Sequence, residues 1–194
     1  GLRAARARLG RLPGAGGVTL ALVVIAALLL FWGLGAYNRL MRLRNAVSSA
    51  WQQLDAPLSR LAAEGQKLAD AASHGLPQEG SAVDALRATS QELLAALKAV
   101  QPAPYAAESV SKLAVAHALQ AAALQRVLAL AEHTPDEAGS PLVPLVASLR
   151  EAQQQREFGK QLFNQRVLVF NEALAEVPTR ALAGLYGFHD AQRF

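Results

Sequence analysis

VTLALVVIAALLLFWGLGAYNRLMRLRNAVSSAWQQLD, from Val18 to Asp55, joins an uncharged apolar run to an amphipathic one. The first part, Val18 to Tyr37, is twenty residues without a charge. A helix of about that length, rising 1.5 Å per residue, spans the hydrocarbon core of a bilayer. Val18, Leu22 and Leu29 then face lipid. Phe31, Trp32 and Tyr37 gather at its C-terminal end, where amphipathic rings favour the headgroup layer. A signal peptide has a shorter apolar core, about 7–15 residues, and a small-residue cleavage site. This run leads straight into Tyr37-Asn38-Arg39 with no such site, so the expectation is a retained single-pass anchor.

Working outward, Leu40, Leu43, Val47, Ala50, Leu54, Leu58, Leu61 and Leu68 recur in steps of three and four, broken only where Gly65 takes the next place. That is one buried stripe on one helix. The spacing predicts that the membrane helix continues to about Ser73, with Pro57 kinking it rather than ending it. His74-Gly75-Leu76-Pro77 interrupts the chain. Ser81 with Asp84 resembles a capping arrangement for a second helix, which Gln101-Pro102-Ala103-Pro104 closes. A third, Ala-rich helix runs from about Tyr105 to Glu132, and His133–Gly139 is a loop by composition. Ser140 and Pro141 supply a cap and first-turn proline for a fourth helix. It carries Leu145, Leu149, Phe163, Val167, Phe170, Leu174 and Val177 on one face before Pro178 stops it.

The expected fold is therefore all-α: a single N-terminal transmembrane helix continuing into an antiparallel four-helix bundle with long first and last helices. Residues 1–17 form a basic tail, 18–37 the span, 38–178 the bundle and 179–194 a membrane-proximal tail. In that last segment Leu182, Leu185, Tyr186, Phe188 and Phe194, with Arg180 and Arg193, suit the membrane interface. The alternative is a tail folded onto the base of the bundle.

With 52% hydrophobic but only 6% aromatic residues, the core is built of Leu, Ala and Val. The net charge of +4 comes largely from arginines beside the span: Arg3, Arg6, Arg8 and Arg11 before it, Arg39, Arg42 and Arg44 after it. Attraction to anionic headgroups explains them. No basic stripe with interleaved aromatics speaks for nucleic acid. The four-to-three balance of arginines favours the tail inside and the helical domain outside. No cysteine is present, and His74, His117, His133 and His189 lack metal-ligand spacing. There is no phosphate loop, nucleophile elbow or convergent acid and base. The expectation is a non-enzyme without cofactor, metal or small-molecule substrate.

YNRLMRLRNAVSSAWQQLD (Tyr37 to Asp55), directly after the span, resembles the opening signature of the bacterial LemA family. FNQRVLVFNEALAEVPTRALAGLYGF (Phe163 to Phe188) resembles that family's aromatic-Asn repeat, proline and closing Gly-Phe, here Pro178 and Gly187-Phe188. The resemblance implies a membrane-anchored helical bundle protein without established enzymatic activity, in the inner membrane of a bacterium. The chain departs from the family's pattern after Asp55, where Pro57 to Lys67 replaces a run similar to Asp-Leu-Ile-Pro-Asn-Leu-Val.

The matched motifs single out Asn38, Arg42, Asn45, Trp51, Asn164, Asn171, Pro178 and Phe188. Asn38 and Asn45 are seven apart, as are Asn164 and Asn171, which puts each pair on one side of its helix. One arrangement is a cross-helix amide ladder, Asn38 with Asn171 and Asn45 with Asn164. The angular offset from the apolar stripes favours the other, a solvated or partner-contacting face. Trp51 belongs to the core and needs an acceptor for its indole N–H if buried. Two functions compete: a scaffold binding membrane lipids and either its own copies or other envelope proteins, and a sensor regulating a partner membrane protease with Pro57 as hinge.

Overall fold

The computed structural model describes residues 15–75, 77–132 and 142–194, and these form an all-helical protein. The tail arginines Arg3 to Arg11, the His133–Gly139 loop and the Ser140-Pro141 cap lie outside the described residues. The first helix, α1, is unbroken from Ala15 to Gly75. Its two halves differ as the sequence does. Val18, Leu22, Leu29, Phe31 and Trp32 are exposed, while Leu40, Val47, Leu54, Leu58, Leu61 and Leu68 are buried. The apolar N-terminal half is consistent with a membrane anchor.

A 3₁₀ turn, Pro77–Glu79, leads into α2 (Gly80–Val100). The expected cap does not form. Glu79 holds the cap position without a side-chain bond, and Asp84 instead takes the Arg87 guanidinium at 2.9 Å. Turns at Pro102 and Pro104, which lack an N–H to continue a helix, delay α3 to Ala107–Glu132. The fourth helix, α4, covers Leu142–Ala175. It ends earlier than expected because Glu176 is extended, with φ −64° and ψ 136°. Thr179 then donates its hydroxyl to the Glu176 carbonyl at 2.9 Å and to that of Ala173. Pro178 therefore lies in the first turn of a further helix, α5 (Val177–Tyr186), where its fixed φ is tolerated. Five α-helices, not four, stand among the described residues.

The core is organised around α1. Ion pairs Arg39–Glu176 and Arg60–Glu151 (2.9 Å) show α4 running opposite to it, and Arg87–Asp70 (3.0 Å) together with Gly65 against Ser90 does the same for α2. The α1 and α3 helices run in the same direction, since Tyr105 lies at Arg44 and Gln120 at Leu61. Two glycines permit the closest approaches. A Cβ at Gly65 would lie 2.7 Å from the Ser90 hydroxyl and 3.0 Å from the Gln120 amide, so this gap in the stripe admits a buried polar layer. A Cβ at Gly159 would lie 2.5 Å from the Gln53 carbonyl oxygen. That carbonyl is the one Pro57 leaves without its helical donor.

The packing departs from a four-helix square at the fourth side. Among the described residues α3 and α4 hardly approach each other. The C-terminal segment occupies the seam between them, with the Phe194 ring 5.5 Å from that of His117 on α3 and 6.0 Å from Lys160 Nζ on α4.

A candidate interaction face along the fourth helix

Asn164 and Asn171 make paired bonds not with the first helix but with the backbone of the C-terminal segment. Asn164 donates to the Phe194 carbonyl at 2.9 Å and accepts from the Phe194 N–H at 2.7 Å. Asn171 does the same with Ala191, both bonds at 2.8 Å. Each amide thus satisfies one residue's donor and acceptor together, as a neighbouring β-strand would. Asn38 and Asn45 are exposed and without a hydrogen-bond partner among the described residues. The amide ladder between the helices is absent, and the two asparagine pairs have different surroundings.

The segment that these amides hold begins at Gly187, whose φ of 70° closes α5 in the left-handed region that glycine adopts freely. Phe188 N–H bonds back to the Ala183 carbonyl at 3.0 Å. From there the chain climbs α4 towards its middle, away from the span. Of the two placements open to the tail, residues 187–194 lie along the helical domain. The α5 helix stays at the base, where Tyr186 and Phe188 pack on Tyr37 with ring centroids 5.3 and 6.3 Å apart. Leu185 is 81% exposed there, level with the end of the apolar run.

Above this aromatic cluster a cavity of about 370 Å³ opens between α1, the start of α3 and the tail. Arg44 reaches into its wall, stacked 4.1 Å from the Tyr105 ring centroid and bonded to the Tyr105 hydroxyl. Trp51 is buried edge-on to Phe163 at 5.9 Å, and its indole N–H has no partner among the described residues. Arg42 is exposed, beside Asn38 and Asn45 in the sequence but not engaged with the tail.

Electrostatics mark the seam. Burial, with Arg156 and Lys160 of α4 adding positive charge, pushes the His117 imidazole down to about 4, so it is neutral beside Phe194. Asp55, on the side of α1 that meets the end of α2, is pushed up by burial despite a hydrogen bond from Gln101. These two groups share no partner, and among the described residues no cluster of three or more His, Asp or Glu side chains could hold a metal ion.

Lys160 and Gly159 were not singled out in the sequence, and Gly65, His117 and Tyr105 were read there only as a gap in the stripe, a histidine without metal-ligand spacing and a helix boundary. Their roles depend on the seat of the tail and on helix contacts, which periodicity does not carry. The spacing of Asn164 and Asn171 was visible, but its meaning required knowing the conformation of residues 188–194.

No curated protein and no solved structure matches the chain. The model of the LemA family matches residues 50–194, which take in most of the helical domain, the Asn164 and Asn171 repeat, α5 and the tail. The chain belongs to the LemA family.

Proposed function

We propose that this chain is a non-enzymatic, membrane-anchored scaffold of the bacterial cell envelope, whose antiparallel helical bundle contacts other envelope proteins or further copies of itself. The observation that carries the reading is the continuity of α1. One helix passes from the exposed apolar half into the centre of the core with no break. A rigid connection of this kind holds the domain at a fixed height over the bilayer. Its exposed face carries Asn38, Arg42 and Asn45, polar groups with no internal work to do.

The inner membrane is the proposed location, with the domain on the outer side, as the arginine balance favours. The competing reading, a regulator of a membrane protease with Pro57 as hinge, is less well supported. Gly159 lies against the carbonyl that Pro57 frees, and a hinge there would have to open this close approach of α4 to α1.

Affinity purification in mild detergent, followed by mass determination of the intact particle, tests the proposal. A homo-oligomer or a stoichiometric complex with an envelope protein is expected. A monomer that retains no partner would overturn it.

A further inference from the structure

We infer that the seam between α3 and α4 is a binding site for an extended peptide backbone, and that neighbouring copies of this chain link by exchanging residues 188–194 through it. The reading rests on the proposed self-association and names the element that performs it. Asn164 and Asn171 stand seven residues apart on α4, a rise of about 10.5 Å. The residues they hold, Phe194 and Ala191, are three apart. Three residues cover about 10 Å only when extended. The helix therefore presents two amides at the repeat of a strand, reading backbone rather than side chains.

Specificity comes from the two ends of that strand. Ala191 is buried, so a large side chain is excluded there. The Phe194 ring sits between neutral His117 and the Lys160 cation. The occupant is an extended segment with a small residue followed three positions later by an aromatic one. This chain carries such a segment.

Three features make the seat exchangeable. Beyond Phe188 the tail is held on α4 by the four hydrogen bonds of Asn164 and Asn171 and adds no helix to the core. Gly187 supplies a pivot, with nothing within 4 Å of a Cβ built on it. The contacts made across two copies are the same as those made within one, so proximity sets the balance. Copies anchored in one bilayer by α1 stand side by side at equal height. With Ala191 to Phe194 occupied by the seat, the four steps from Gly187 to Ala191 reach at most about 14 Å, enough only for a neighbour in direct contact.

The chain has no cysteine, which permits a direct test. Full-length Lys160→Cys and Arg193→Cys chains are reconstituted together in liposomes and treated with a flexible bis-maleimide. A crosslink between the two chains is expected, at a yield lowered at least about tenfold when the Lys160→Cys chain also carries Asn164→Ala and Asn171→Ala. Phe194→Ala in the Arg193→Cys chain, which leaves α4 untouched, should lower the yield as well. Crosslinking only within a chain carrying both cysteines overturns the exchange, as does a between-chain yield indifferent to these changes. If the intact particle is still an oligomer in that case, the scaffold proposal stands and only the exchange fails. A monomer throughout, with no partner retained in the detergent purification either, removes both.

Discussion

Gly159 is the position at which one atom decides the most. A Cβ there meets the Gln53 carbonyl oxygen at 2.5 Å, and the obstacle is backbone rather than the end of a flexible side chain. Gly159→Ala should destabilise the domain by about 2 kcal/mol or more, read as a fall in melting temperature in detergent. Gly184→Ala is the control: it meets nothing within 4 Å inside α5, and the gain in helix propensity should leave stability equal or slightly higher. Phe163 and Phe170, fully buried between α4 and α1, should each cost about 3–5 kcal/mol on truncation to Ala. Asn45→Ala, at an exposed position, should stay within about 0.5 kcal/mol. Equal losses for Asn45 and Phe170 would place Asn45 in internal packing and refute the exposed face. The phenylalanines were legible from the sequence because a 3.6-residue period marks a core stripe. Gly159 was not, since nothing in a single helix says which partner backbone comes close.

At the scale of elements, the two long helices were readable and the short one was not. The stripes of α1 and α4 repeat over many turns, so an interruption such as Pro57 does not hide them. In α5 the ten residues Val177–Tyr186 offer a period too brief to recognise, and Pro178 read as a stop because a proline serves equally at the end of one helix and the start of the next. The seam formed by α3, α4 and the tail makes its own prediction through His117. Its folded value lies near 4 against an ordinary 6.5, so the unfolded chain takes up a proton more readily. Stability is unaffected above about pH 6.5, falls as pH drops towards 4, and is level below that with respect to this group. The loss is on the order of 2–3 kcal/mol after allowance for partial exposure. Denaturation of His117→Leu across that window should show a flatter slope than the parent. Parallel slopes would mean that the imidazole is solvated and the seam open.

At the scale of the whole molecule, the apolar half of α1 is exposed and has no partner among the described residues. Leaving the exposed leucines and aromatics of residues 18–34 in water costs far more than a domain of ordinary stability can offset. The protein should therefore stay with the membrane fraction through carbonate and high-salt washing, and release at full length would refute the anchor. The proposed side of the domain rests on charge: four arginines precede the span in this sequence and three follow it, a balance that favours the domain on the outer side. A single cysteine at Lys112, exposed on α3, should react with a membrane-impermeant maleimide once the outer barrier is opened and the inner membrane is still sealed. Reaction only after the inner membrane is breached would put the domain in the cytoplasm. Three arginines on the near side of the span would then outweigh four on the far side, and the rows of Asn38, Arg42 and Asn45 would meet cytoplasmic rather than envelope partners.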